Sequence, residues 1–173
     1  MIEVLRLGHR PFRDKRLSTH VALTSRAFGA SKLWYTGHKD LSFETSVAGV
    51  VKNFGGSFSV GYIENAITFA KNRKGEGWLV VHLSMYGLKL QEEISKIRKA
   101  EKSVLVIVGG EKVDWDFYKL SDYNLSVTTQ PHSEVSSLAL FLDRYFAGAE
   151  LDLDFGGKTK IIPEALGKNV LKT

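Results

Sequence analysis

Ser103-Val104-Leu105-Val106-Ile107-Val108-Gly109-Gly110 is the stretch on which the fold turns. Its apolar residues run from Val104 to Val108 without a polar interruption and stop at a glycine pair. A strand that is apolar at every position is buried on both faces, as in the middle of a parallel sheet; an antiparallel strand with one wet face would alternate. The run at 78–83 has nearly the same character, broken only by His82. Outward from these two, strands are predicted at 2–7, 33–36, 58–62 and 123–127. Helices are predicted between them at 19–28, 43–54, 64–72, 90–100 and 135–146, with Gly29 and Gly55-Gly56 as helix stops. Such alternation predicts an α/β domain with a parallel sheet and helices on both faces. Residues 1–150 read as a single domain, and 151–173 as a polar tail that packs on it or extends from it.

At 173 residues the chain can bury a core without disulfides, and 43% apolar with 25% charged residues excludes a disordered composition. There is no cysteine, which removes disulfides, thiolate metal sites and a Cys nucleophile. No apolar run approaches membrane-spanning length, and Met1-Ile2-Glu3 lacks the basic-then-apolar order of a signal peptide. A cytoplasmic protein without a membrane partner is therefore expected. The net charge of +5 is concentrated: residues 1–32 hold seven Lys and Arg against two Asp and Glu, so the rest of the chain is neutral. A local excess dominated by arginine suits bidentate contacts to phosphate, or is a solvated basic surface.

Several familiar chemistries are excluded. No G-x-G-x-x-G follows a strand, so the dinucleotide fingerprint is absent. Gly156-Gly157-Lys158-Thr159 resembles the end of a phosphate loop, but the earlier glycine would fall at residue 152, which is aspartate. The histidines show no zinc spacing and the acidic residues no metal cluster, so no metal is expected. His132, Ser133 and Glu134 are adjacent, and adjacent residues rarely make a catalytic triad.

Three loops remain, each at the carboxyl end of a predicted strand: 82–87, 109–113 and 127–134. In open α/β sheets ligands gather at that edge, and glycine there lets the backbone approach them. The third loop, Val127-Thr128-Thr129-Gln130-Pro131-His132-Ser133-Glu134, feeds a densely apolar helix. Read plainly it is a helix start, with Ser133 as N-cap and Glu134 in the first turn. Val135, Leu138, Leu142 and Tyr145 form one apolar face of that helix, while Ala139, Leu140 and Phe141 load the remainder. It needs two partners, the second being either another subunit or a deep single-chain core.

Five ordered blocks carry a resemblance: Arg13-Asp14-Lys15-Arg16 with Thr19-His20, Ser25-Arg26-Ala27-Phe28-Gly29-Ala30, Val81 to Gly87, Val108 to Val113, and Gln130 to Val135 continuing through Phe141 to Phe146. Together they resemble the archaeal tRNA cytidine-56 2′-O-methyltransferases of the SPOUT class, over almost the whole chain. The resemblance implies a C-terminal trefoil knot, S-adenosylmethionine as methyl donor, tRNA as substrate, and a homodimer with its active site at the interface. Donor-binding residues carried over are Leu83, Gly109, Gly110, Glu111, Lys112, Val113 and the segment Val127, Thr128, Thr129, Gln130, Pro131, His132, Ser133 and Glu134. Arg10, Arg13, Lys15 and Arg16 would grip RNA backbone.

Two departures matter. Related ribose methyltransferases carry Asn-x5-Arg at their first motif, where this chain has His20 and Arg26; their third motif reads Asn-x-Ser, where this chain has His132-Ser133-Glu134. The resemblance points to Arg26 as the residue that orients phosphate and stabilises a developing alkoxide, with His132 or Glu134 as proton acceptor. A SPOUT enzyme acting on another RNA or on a base, and a non-catalytic RNA-binding module, are the alternatives.

Overall fold

In the computed structural model the apolar run becomes a central strand, with every residue from Val104 to Val108 buried. The structure describes residues 1–110 and 112–173, excepting the side chains of residues 14 and 15. In chain order the elements are β1 (Ile2–His9), α1 (Pro11–Ala27), β2 (Lys32–Gly37), α2 (Leu41–Phe54), β3 (Ser59–Tyr62), α3 (Ala66–Gly75) and β4 (Leu79–Lys89). They continue as α4 (Leu90–Lys99), β5 (Val104–Val108), α5 (Trp115–Leu120), β6 (Tyr123–Ser126), α6 (Glu134–Phe146), a 3₁₀ turn at Ala149–Asp152, β7 (Thr159–Ile162) and β8 (Asn169–Lys172). Strands β1 to β6 form one sheet in the order β3-β2-β1-β5-β4-β6, and every pairing in it is parallel.

Strand alternation divides the core between two layers. Val104, Val106 and Val108 pack with Val21 and Ala22 of α1, Phe43 and Val47 of α2, Ile97 of α4, and Leu138, Phe141 and Leu142 of α6. Leu105 and Ile107 face the other way, onto Ala70 of α3 and Phe117 of α5. Each fully buried side chain of this size contributes about 1.5–3 kcal/mol relative to leaving it in water. The layering accounts for β5 being apolar at every position, and it places helices on both faces as expected.

Three features differ from the sequence expectation. Helix α1 begins at Pro11, eight residues before the predicted start, because its first turns are polar and carry no apolar periodicity; Pro at N1 is the local signal. Strand β4 runs on to Lys89, leaving β6 after Leu83 and rejoining it at Leu88. Helix α5 has six residues, too few to show an apolar period in the sequence.

The tail is an antiparallel hairpin of β7 and β8. It is tied to the end of α2, where Gly56 N donates to Phe155 O at 2.8 Å and Gly55 bridges Gly156. Gly55 has φ 79° and an added Cβ would lie 2.2 Å from Phe155 O, so only glycine allows this approach.

Because β1, β4, β5 and β6 are parallel, their carboxyl ends share one edge of the sheet. The N-termini of α1 and α6 start from that same edge.

Candidate active site

That edge holds a crevice of about 450 Å³, within the range of small-molecule sites. One side is built from Arg6 of β1 and from Arg10, Arg13 and Leu17 at the start of α1. The opposite side is His82, Leu83, Ser84, Met85 and Tyr86 of β4 with Tyr118 of α5. Gly109, Gly110 and Val113 supply the loop after β5, and Pro131, His132, Glu134 and Ser137 the entry to α6.

Arg6 lies at the base. It is buried, and its Nη2 stands 3.1 Å from Glu134 Oε1. The pair links β1 to the first turn of α6, and removing either partner would leave the other charge buried, which costs about 3–5 kcal/mol. The carboxylate also sits where the helix dipole favours negative charge. Ser133 Oγ accepts from Val135 N at 3.1 Å and Ser136 N at 3.4 Å, which makes it the N-cap anticipated for this position.

His132 is exposed at the crevice, its Nδ1 2.7 Å from Gln130 O. A carbonyl only accepts, so Nδ1 carries the hydrogen and Nε2 of the neutral ring keeps its lone pair. His82 is 1% exposed, with Nδ1 2.9 Å from Asn124 Oδ1. Asn124 is oriented by its own Nδ2, which donates to Tyr118 O at 2.9 Å. His82 Nε2 has no hydrogen-bond partner. Burial pushes this imidazole below its ordinary pKa, against the opposing bond to Asn124, so the ring is neutral.

Tight backbone packing fixes the loops. A Cβ on Gly109 would lie 2.1 Å from Val113 Cγ2, so the loop after β5 turns back on itself closely. A Cβ on Gly110 would meet nothing within 4 Å, leaving that stretch of crevice lining open. Within 127–134, Ser126 Oγ donates to Thr128 O at 2.6 Å and Gln130 N to Thr128 Oγ1 at 3.3 Å, which holds the loop's shape.

Leu83, Gly109, Gly110, Val113, Pro131, His132 and Glu134 thus meet in one place, together with Arg10 and Arg13. Thr128, Gln130 and Ser133 brace the loop, and Thr129 is an exposed residue between them. Lys112 faces a neighbouring groove beside β1, and Val127 one between α4 and α6. Arg16 is exposed on α1, outside the crevice lining. Glu111 and the side chain of Lys15 lie outside the described residues.

Within one chain the structure does not bring Arg26 to the crevice. Arg26 is at the far end of α1, about 20 Å along the helix axis from Arg13. Its Nη2 donates to Phe54 O at 2.9 Å and Gly55 O at 2.7 Å, and its guanidinium lies 4.5 Å from the Phe155 ring centroid. Only 7% exposed, it pins the tail to the end of α2. Sequence reasoning missed Arg6 and Tyr118, and it placed His82 and Ser84 in the 82–87 loop without singling them out. The usable signals were a charge inside β1 and the one polar residue in the 78–83 run.

Among the described residues no cluster of His, Asp and Glu is placed to hold a metal ion. No described helix is long and apolar enough to cross a membrane.

A family model described as tRNA ribose 2′-O-methyltransferase, aTrm56, matches residues 54–171. A protein of Methanothrix thermoacetophila named tRNA (cytidine(56)-2′-O)-methyltransferase is 50% identical over 173 residues, covering 98% of this chain and 97% of its own. One of the same name from Thermoplasma volcanium is 48% identical over 170 residues, covering 98% of this chain. This chain spans only 49% of that relative's length. Among solved structures, the SpoU methyltransferase AviRb from Streptomyces viridochromogenes, in complex with the cofactor AdoMet, superposes with TM-score 0.60 at 14% identity. The match covers 85% of this chain and 57% of that one, and it concerns the fold.

Proposed function

The chain belongs to the tRNA ribose 2′-O-methyltransferase family aTrm56, and from that premise we propose that it methylates the 2′-hydroxyl of cytidine 56 in tRNA with S-adenosylmethionine as donor. The observation that carries the reading is the crevice itself. A glycine-bounded cavity of nucleoside size adjoins the arginine-bearing start of α1 on one edge of the sheet.

The residues present fit such a donor. Gly110 leaves the backbone open along the lining, and the buried Nε2 of His82 is an acceptor with no protein partner. Leu83, Gly109, Gly110, Val113 and Pro131 would hold the donor, with Glu111, Lys112 and the rest of 127–134 completing the loops. The donor, when bound, supplies an electrophilic methyl group on a sulfonium. Everything else falls to the chain. Positioning the ribose oxygen supplies much of the acceleration, and the hydroxyl proton needs an acceptor within hydrogen-bond reach. His132 Nε2 takes that role, since its Nδ1 is held by Gln130 O. Glu134 is engaged with Arg6 and keeps α6 in register with β1. Arg10, Arg13, Lys15 and Arg16 contact tRNA phosphates.

The proposal includes a homodimer, a cytoplasmic location, a single domain over 1–150 with 151–173 as an appended tail, and a trefoil knot in the C-terminal half. Strand order β5-β4-β6, out of chain order where three crevice loops converge, is compatible with such a knot.

The test is incubation of the protein with labelled S-adenosylmethionine and unmodified tRNA, followed by mapping of the methylated nucleotide and its resistance to alkaline cleavage. A 2′-O-methyl group at cytidine 56 is the expected product. Methyl transfer to a base, or none at all, overturns the reading.

A further inference from the structure

An exposed aromatic side chain is informative when it borders a functional cavity, because leaving its ring in water gains nothing for folding. One such residue lines the crevice, and a second stacks on a ring that lines it. Tyr86 lines its mouth and is 79% exposed; Trp115, the first residue of α5, is 67% exposed.

Neither ring is on a loose segment. Tyr86 sits in the part of β4 that leaves and rejoins β6, and Gly87 beside it packs directly on the β6 backbone at Asn124. Tyr86 N is 3.4 Å from Ser84 Oγ, which in turn lies 2.8 Å from Tyr118 OH. Tyr118 then carries Trp115, with ring centroids 5.3 Å apart and planes 24° from parallel. On its other flank it meets His82 edge-on at 4.6 Å. One connected set of contacts therefore ties the Tyr86 backbone to the Trp115 ring. Across the crevice stand Arg6, Arg10 and Arg13.

We propose that this aromatic wall is a nucleobase platform: the base of the acceptor nucleotide stacks on Tyr86, and a flanking base on Trp115, while the arginine side takes the phosphates. The inference rests on the RNA-methylating function proposed above and adds to it the surface that selects an unstacked nucleotide. The physical basis is the pairing of charge with π-faces. Single-stranded RNA offers a backbone for cations and splayed bases for aromatic rings, whereas a continuous helix keeps its bases stacked on each other. A 2′-hydroxyl inside a paired, stacked helix would not be delivered to a crevice of this shape.

The experiment uses the full chain as wild type, Tyr86→Ala, Tyr86→Phe, Trp115→Ala and Trp115→Phe, each checked for an unchanged melting temperature. Binding of an unmodified tRNA transcript is measured over a range of salt, and S-adenosylmethionine binding by calorimetry. Each alanine variant should weaken tRNA binding about tenfold, the effect of removing one base–aromatic stack. The slope of log affinity against log salt should stay the same, because no phosphate contact is lost. Donor affinity should remain within about twofold, and Tyr86→Phe should bind tRNA like wild type because the ring is kept. Trp115 is the exposed one among the tryptophans, so tRNA should quench tryptophan fluorescence in wild type but not in Trp115→Phe. Alanine variants that bind tRNA like wild type, in a preparation whose wild type methylates tRNA, overturn the platform and leave the function standing. Loss of donor affinity with tRNA affinity intact overturns it by assigning the wall to the donor. A wild type that neither binds nor methylates tRNA removes the functional reading and this inference together.

Discussion

Gly87→Ala tests whether the packing of β4 on β6 sets the crevice. An added Cβ would lie 2.4 Å from Asn124 O, 2.5 Å from Asn124 C and 2.5 Å from Leu125 N. All three are backbone atoms of a paired strand, so no side chain can swing away. Relief to an ordinary contact requires β4 and β6 to separate by about 1 Å. Overpacking of this kind costs about 1–3 kcal/mol, which for a domain of this size lowers the melting temperature by about 2–12 °C. The catalytic effect should be larger than the stability effect. Leu83 before the bulge and the loop after β6 both border the crevice, and a misplacement of about 1 Å can reduce a positioned reaction by about 100-fold. Scanning calorimetry gives the first quantity, and single-turnover methyl transfer to tRNA well below the melting temperature gives the second. A variant that melts within about 1 °C of wild type and reacts within about twofold of it would refute the claim that this contact is rigid.

Other changes probe separate parts of the molecule. His132→Ala should lower the single-turnover rate by about 10²–10⁴-fold while calorimetric donor affinity holds; an unchanged rate rules His132 out as proton acceptor. Arg13→Ala with Arg16→Ala should weaken tRNA binding and flatten its salt dependence by about one unit of slope per lost phosphate contact, and a loss of donor binding instead would contradict that division. Asp40 accepts from Ser42 N, Ser42 Oγ and Phe43 N as N-cap of α2, and meets buried His9 Nε2 at 3.3 Å. Asp40→Ala should therefore cost about 1 kcal/mol for the cap and about 1–3 kcal/mol for a lost partner of a buried polar group, read from urea denaturation. The bond from the Ser42 hydroxyl leads the causes that hold the Asp40 carboxyl at about 2. Its contribution is full above the ordinary carboxylate range near pH 4 and disappears as pH falls toward about 2. Urea midpoints of wild type should drop through that window more steeply than those of Asp40→Asn, which keeps the cap without the titration. Gly49 lies exposed inside α2 with nothing within 4 Å of an added Cβ, so Gly49→Ala should raise stability by about 1 kcal/mol; a lower melting temperature would show an unrecognised contact.

Much of the fold was legible because burial on two faces leaves a one-dimensional trace. The 104–108 run, the 78–83 run and the apolar stripes of α2, α4 and α6 each reported their surroundings directly, and their alternation implied the parallel sheet. The start of α1 was not legible, since a helix whose outer turns are held by Pro11 and carry charges has no apolar period to read. Helix α5 was too short to show one. The hairpin of β7 and β8 left little pattern because each face mixes apolar and polar residues, with Ile161, Val170 and Leu171 exposed.

By itself the sequence determined the sheet's character, the three strand-end loops and the Ser133 cap, all of which depend on neighbours close along the chain. Its ordered blocks also pointed to the family. Only the tertiary structure decided which of the marked residues share a site. Arg6 and Glu134 are 128 positions apart yet form one ion pair, while Arg13 and Arg26 share a helix and stand at its opposite ends. A helix rises about 1.5 Å per residue whatever its side chains intend, and parallel pairing brings distant strand ends to one edge. Proximity here is set by that geometry, and spacing along the chain does not encode it.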